Sequence, residues 1–304
     1  MSASSSLHVP VMPAEVLRWL APRDGQVFVD GTLGGGGHAR ALAESVRDAR
    51  GGGLLIALDR DPAAIQRAER SLLGLPVILV HASFCDLPEV LAEVGATKVD
   101  GVLIDLGVSA DQLADDGRGF SFAAAGPLDL RFDPDEGEPA WKLLERLSPE
   151  HLAALLSRYG EERYSRRIAR AIVERRRRGP LREASELAQV VRRSVPRGRG
   201  GERIDPATRT FQALRIAVND ELKTLEVALR RIPDCLNQDG RAAVISFHSL
   251  EDRLVKNAWR DDPRWEVLTR RPVRPGQEEV AKNPRARSAK LRVAQRRRSE
   301  VGGR

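Results

Sequence analysis

Residues 27–42 constrain the fold more than any other stretch: Val-Phe-Val-Asp-Gly-Thr-Leu-Gly-Gly-Gly-Gly-His-Ala-Arg-Ala-Leu. In order they read as a short buried strand, a glycine-packed turn and the start of a helix. Four consecutive glycines, Gly34 to Gly37, would weaken any regular element, because glycine loses the most backbone freedom on folding. Between a strand and a helix they let the main chain pass flush against a bound molecule. The context therefore predicts a ligand-cradling loop at a strand's carboxyl end.

The rest of the first third continues the alternation. Val27–Asp30, Leu54–Asp59, Val77–Val80 and Gly101–Asp105 are apolar runs of strand length. His38–Arg47 and Pro62–Leu73 between them carry helical spacing, the second with proline at a permitted early position. This βαβαβ rhythm predicts a parallel sheet covered by helices on both faces. Residues 111–140 are rich in Gly, Asp and Pro and read as loop, and Leu143 to about Arg193 reads as wholly helical. Phe211, Leu214, Val218, Leu222, Leu225 and Leu229 then recur at helical spacing, Ala242–Phe247 returns as a buried strand, and Ser288–Ala294 reads as an edge strand. An α/β domain interrupted by a helical insert is the simplest architecture.

Composition narrows the classes. No apolar run approaches the roughly 20 residues that span a bilayer, and the N-terminal Met-Ser-Ala-Ser-Ser-Ser lacks a signal-peptide core. The expectation is a cytoplasmic protein with no membrane partner. Cys85 and Cys235 lack CxxC spacing, which argues against a cysteine zinc site and suits a reducing compartment. A formal charge of +7 favours an anionic partner, nucleic acid first.

Three predicted strands end in aspartate: Asp30, Asp59 and Asp105. Ligands of doubly wound sheets collect at that end, so these side chains would ring one crevice. A carboxylate at Asp59, on the second strand, suits a ribose diol, since it accepts from both hydroxyls. Two readings remain at this point, a dinucleotide and S-adenosylmethionine. The loop fits GxGxxG only loosely, because position 38 is His, and a dinucleotide needs its pyrophosphate at the helix N-terminus.

Eight ordered segments then resemble one family. They are Asp-Gly-Thr-Leu-Gly-Gly-Gly-Gly-His (30–38), Asp-Arg-Asp-Pro (59–62), Asp-Leu-Gly-Val-Ser (105–109), Arg-Gly-Phe-Ser-Phe (118–122), Gly-Pro-Leu-Asp-Leu-Arg (126–131), Tyr-Gly-Glu-Glu-Arg (159–163), Pro-Ala-Thr-Arg-Thr-Phe-Gln-Ala-Leu-Arg (206–215) and Ser-Phe-His-Ser-Leu-Glu-Asp-Arg (246–253). From about His8 to about Arg292 the chain resembles the bacterial 16S rRNA (cytosine-N4)-methyltransferases. The resemblance implies a class I methyltransferase, a Rossmann-like parallel-sheet domain with an inserted helical domain. It assigns 1–110 and 205–304 to the methyltransferase domain and 111–204 to a substrate-recognition insert. It implies S-adenosylmethionine as cofactor, against Gly36, Gly37 and His38, with Asp59 on the ribose, Phe84 near the adenine, and Asp105 and Gln112 as the remaining contacts. The implied partner is 16S rRNA within the small ribosomal subunit, and a homodimer is admitted.

The chemistry sets further demands. The N4 lone pair of cytosine is delocalised into the ring, so an enzyme must accept hydrogen bonds from N4–H and align N4 with the donor methyl. Many amino-methyltransferases use (Asp/Asn/Ser)-Pro-Pro-Tyr here, whereas this chain reads Asp105-Leu-Gly-Val-Ser109. Asp105, Ser109 and a main-chain carbonyl are the candidate acceptors, with Asp105 preferred as the catalytic residue. His248 is a candidate general base, but Ser249-Leu-Glu-Asp252 matches a capping-box-like helix start. Trp141 and Tyr159 are candidates for stacking on a flipped base. Arg166, Arg167, Arg170, Arg175–Arg178, Arg197, Arg199, Arg203 and the tail from Lys290 to Arg298 form the expected phosphate-binding surface. Rival readings are a methyltransferase on another amine, a non-catalytic RNA-binding assembly factor and a dinucleotide oxidoreductase.

Overall fold

A computed structural model describes residues 9–48, 51–122, 126–196 and 205–298. The chain divides into two compact units, one running up to Ala110 and resuming at Leu222, the other spanning Asp111–Glu221.

The first unit is built on a seven-stranded sheet of β1 (Val27–Asp30), β2 (Leu54–Asp59), β3 (Val77–His81), β4 (Val99–Asp105), β5 (Leu236–Ser246), β6 (Trp265–Val267) and β7 (Lys290–Arg296). Their order is β3-β2-β1-β4-β5-β7-β6, with β1 to β5 parallel and β7 antiparallel to both neighbours. This is the class I methyltransferase sheet. The strands are nearly continuous apolar runs because both faces are covered. Val29, Ile56, Leu58, Val102 and Ile104 pack with Leu225, Leu229 and Trp259 on one side. Phe28, Leu55 and Leu103 pack with Leu42, Leu291 and Val293 on the other. Each such side chain, fully buried, contributes about 1.5–3 kcal/mol. Gly101 is required here, since a Cβ would overlap the Phe28 ring.

Two sequence expectations change. β7 is not an edge strand: the three-residue β6, too short to read from sequence, pairs along its outer side. The Phe211–Leu229 periodicity is not one helix. It divides into Ala207–Asn219 and Glu221–Cys235 at Asp220, whose φ of 52° ends the first.

The second unit holds the helices Ala140–Arg146, Pro149–Gly160, Ser165–Arg176, Ala184–Ser194 and Ala207–Asn219. This unit runs to Glu221, past the 204 expected for the insert. The helix Ala207–Asn219 crosses Pro149–Gly160 so closely that a Cβ at Gly160 would lie 2.6 Å from the Arg209 carbonyl, and Gln212 donates to the Tyr159 carbonyl at 3.0 Å. Its apolar positions Phe211 and Leu214 belong to the helical core.

The loop before these helices fastens itself. Arg118 donates to the carbonyls of Arg131 and Phe132 at 2.9 and 2.7 Å, and Asp129 takes a two-pronged ion pair from Arg131. Asn219 donates to the Leu130 carbonyl and accepts from the Phe132 amide, both at 2.7 Å. The Arg-Gly-Phe-Ser-Phe and Gly-Pro-Leu-Asp-Leu-Arg segments thus hold a loop that lacks regular backbone pairing.

Candidate functional site

The register carries the strand ends into one place. Asp30 is level with Ala57 of β2 and Leu103 of β4, while Asp59 faces His81 and Asp105 faces Ile245. The glycine turn leaves β1 and is pinned from three sides: Gly31 N–H donates to the Leu103 carbonyl at 2.8 Å, Leu33 N–H to the Leu58 carbonyl at 2.9 Å, and Gly34 N–H to Asp59 Oδ2 at 2.8 Å. Thr32 bridges two of the aspartates. Its N–H donates to Asp30 Oδ1 at 3.1 Å, and its hydroxyl accepts the Asp105 N–H at 2.6 Å. Thr32 was not among the candidates, although it stands within the Asp-Gly-Thr turn.

Each glycine has its own reason. Gly34 and Gly36 take φ of 50° and 78°, where a side chain is strained, and Gly36 opens the helix Gly37–Val46. Gly37 is small because Pro10 packs on it: a Cβ there would meet the Pro10 ring at 2.8 Å. Gly31 faces Phe84, whose Cβ would be 2.9 Å from one on residue 31. Phe84, half-buried in the turn after β3, therefore closes against the back of the loop.

The electrostatics are those of carboxylates held in poor solvent. Burial pushes Asp30 up to about 6, against the charge of His38. Burial likewise pushes Asp59 up to about 6, although it accepts the N–H groups of Asp61 and Gly34. His38 is only 5% exposed, with Nε2 3.5 Å from Asp105 Oδ2. Burial alone would lower its pKa, but the contact and charge of Asp105 and the charge of Asp30 carry it above the usual histidine value. Asp105 Oδ1 and Asp30 Oδ2 are buried with no hydrogen-bond partner.

These features fit S-adenosylmethionine. Asp59 uses one lone pair of each oxygen on the main chain, and a carboxylate has further lone pairs of the kind a diol needs. The partnerless Asp105 Oδ1 is a buried acceptor open to a donor N–H of a bound molecule. Gly36, Gly37, His38, Asp59, Phe84 and Asp105 all stand at or just after the carboxyl ends of β1 to β4. Gln112, buried on the short helix Ala110–Ala114, falls in the second unit's stretch of chain.

His248 has a structural task. It is the N-cap of the helix Ser249–Asp261, its Nδ1 accepting the Glu251 N–H, with Nε2 3.0 Å from Glu251 Oε1. Buried Glu251 in turn accepts the N–H groups of Phe247 and His248. Nδ1 is committed to the helix start, while Nε2 lies beside the Glu251 carboxylate without a hydrogen bond. The capping box thus starts at His248, not at Ser249.

The basic surface is smaller than its sequence suggests. Arg175 pairs with Glu186, and Arg176 donates to the carbonyls of Leu144 and Leu147. Lys290 and Arg292 pair with Asp252, Arg296 donates to the Leu236 carbonyl, Arg297 to that of Trp265, and Arg298 pairs with Asp239. Arg166, Arg167, Arg170, Arg177 and Arg178 are exposed. Arg197, Arg199 and Arg203 lie outside the described residues. Trp141 has Lys142 and Arg182 over its ring at 5.5 and 4.8 Å, and Tyr159 has Arg158 at 5.2 Å.

Comparison with known proteins identifies the family. The chain is 50% identical over 303 residues to "Ribosomal RNA small subunit methyltransferase H" of Rhodopirellula baltica, covering 97% of this chain and 93% of that protein. It is 51% identical to the protein of that name from Sorangium cellulosum, covering 97% and 91%, and 48% identical to that of Geobacter sulfurreducens, covering 95% and 98%. The family model described as "MraW methylase family" matches residues 5–297. With that match along nearly all its length and a crevice of the right chemistry, the chain belongs to the MraW methylase family and takes S-adenosylmethionine as its methyl donor.

Proposed function

We propose that the protein methylates the exocyclic N4 of a cytosine in the decoding centre of 16S rRNA, acting in the cytoplasm on the small ribosomal subunit. The observation that carries the rRNA substrate is the name shared by relatives 48–51% identical across more than nine-tenths of both chains. The N4 position rests on the ordered motifs of the sequence and on the acceptor at the end of β4.

The cofactor, when bound, supplies a methyl group made electrophilic by sulfonium. Every other requirement falls to this chain. Asp59 accepts from the ribose hydroxyls, and Phe84 offers an aromatic face to the adenine. Asp105 Oδ1, buried and without a partner, accepts a hydrogen bond from N4–H and localises its lone pair. An N4 held in this way would be placed to accept the methyl group that the bound cofactor would supply. The surplus N4 proton passes to the acceptor and on to water. Positioning of this kind supplies several kcal/mol of the barrier reduction. A base stacked in folded RNA must be splayed out to reach Asp105, and the exposed arginines of the second unit suit RNA phosphates.

The test is a transfer assay with methyl-labelled S-adenosylmethionine, offering assembled small subunits, naked rRNA, tRNA and duplex DNA. Nucleoside digestion and mass spectrometry locate the label. Label on N4 of one rRNA cytosine, strongest with subunits, is the expected result. Tight cofactor binding with no label on any RNA would replace this reading with that of an assembly factor.

A further inference from the structure

The carboxyl ends of β4 and β5 leave the sheet side by side. Asp105 is level with Ile245, and Leu106 N–H donates to the Ile245 carbonyl at 3.0 Å, so the pairing holds one step beyond β4. Side chains alternate between the faces of a sheet. Asp105 therefore shares a face with Leu103, and Phe247 packs on that same face beside Ile245. Phe247 stands one strand across from Asp105 and two residues on, a separation of roughly 8 Å in an ordinary sheet.

Gly107 lies next to the half-buried Phe247 ring. Its φ of 103° favours glycine, and a Cβ built there would lie 3.5 Å from Phe247 Cδ2 and 3.9 Å from Cε2. Chain neighbours aside, no other described residue comes within 4 Å of that point. A side chain at 107 would enter the space beside the ring, and glycine keeps that space clear. The backbone beneath the ring is fastened: Phe247 N–H donates at 2.8 Å to Oε2 of Glu251, which is only 2% exposed. The ring is thus a flat apolar surface on a fixed support, next to the carboxylate whose Oδ1 lacks a partner.

Asp105 alone does not set the plane of a base. One hydrogen bond from N4–H to Oδ1 leaves the base free to turn about that axis, whereas methyl transfer needs N4 aligned with the donor. An aromatic face removes this freedom, because stacking holds the plane of a splayed-out base. The strand order also puts the ring on the acceptor's side. The ribose assigned to Asp59 belongs to β2, and β5 lies beyond β1 and β4 from it.

We infer that the target cytosine stacks on Phe247 while its amino group donates to Asp105. The inference rests on the proposed N4 reaction and adds the residue that orients the base.

The experiment measures methyl transfer to small subunits, with S-adenosylhomocysteine affinity by calorimetry, for Phe247→Leu, Phe247→Tyr and Phe247→Trp. In Phe247→Leu, kcat should fall about ten- to a hundredfold at little-changed KM, because many phosphate contacts hold the particle and this ring holds one base. S-adenosylhomocysteine affinity should stay at the wild-type value, and at least one of the Tyr and Trp variants should turn over close to wild type. A merely structural role would lower cofactor affinity and melting temperature along with kcat, with no rescue by another ring. That pattern, wild-type kcat in Phe247→Leu, or Tyr and Trp variants as poor as Leu would each overturn the inference. A second measurement needs no variant to fold. Small subunits carrying 5-iodocytidine at the methylated position are irradiated with the wild-type protein, and peptide mass spectrometry locates the cross-link. Attachment to Phe247 is expected, and its absence there overturns the inference. If the wild-type protein methylates no N4, the reaction itself has been misassigned; N4 methylation with a dispensable ring sinks the stacking role alone.

Discussion

Asp30 and Asp59 hold charge where charge is costly, and the cost has a sign that can be measured. The Asp30 carboxyl stands at about 6 against an ordinary 3.8. The folded state therefore binds its proton more readily than the unfolded chain. Its contribution to stability is fully present below about pH 4 and is lost as pH rises through 6. Asp30→Asn should accordingly raise the melting temperature of the ligand-free protein at pH 8 by about 2–4 °C, with the gain vanishing below about pH 4; calorimetric scans across that range check it. Asp59→Ala should leave the protein folded but weaken S-adenosylmethionine binding about ten- to a hundredfold, the worth of one or two hydrogen bonds to a charged group. Isothermal calorimetry reads this directly, and unchanged affinity would sink the ribose assignment. Sequence reading reached these aspartates because a strand's end and a carboxylate are both visible in one line of text. It could not reach Thr32, whose hydroxyl matters only because β4 lies alongside β1.

Elements were legible where one periodicity ran unbroken and illegible where a single residue decided. The strands β1 to β4 follow from apolar runs bounded by turns. Asp220 divides a seemingly continuous helical stripe, because the pattern on either side is the same and only its backbone angle differs. Ser249 looks like the better cap, yet His248 takes the place because Glu251 is buried within reach of its backbone and its ring. His248→Asn preserves a good N-cap residue, so it should keep methyl transfer near wild type, whereas His248→Ala should cost about 1 kcal/mol of stability. Loss of turnover in a stably folded His248→Asn protein would restore the ring to the chemistry. In the insert, a Cβ at Gly126 would overlap the Asp116 carbonyl, and Gly119 has a φ of 70°. Those glycines explain why the loop motifs at 118–122 and 126–131 resist reading by periodicity: they encode the close approach of separate chain segments.

Across the molecule, the excess of basic residues is a poor guide to where nucleic acid binds, since much of it is spent inside. Lys290 and Arg292 in the tail are spent on Asp252, whereas Arg166 and Arg170, like Arg297 and Arg298, remain exposed. Replacing Arg166 and Arg170 with Ala should weaken rRNA binding without changing its sequence preference. The slope of log affinity against log salt should flatten by about 0.7 for each single-strand phosphate that is no longer neutralised; binding measured at several salt concentrations tests this. The sheet order has a last consequence, for how the chain is made. β6 leaves the ribosome before β7, yet β7 is its neighbour in the sheet, and the outer edge of β5 stays open until the same strand arrives. During synthesis the chain therefore carries an unpaired, apolar strand edge through the whole stretch from Ser246 to Lys290, a period in which a nascent protein is open to wrong pairings. A stalled or truncated product ending before Lys290 would keep its cofactor loop and still be the form of this protein most prone to aggregate.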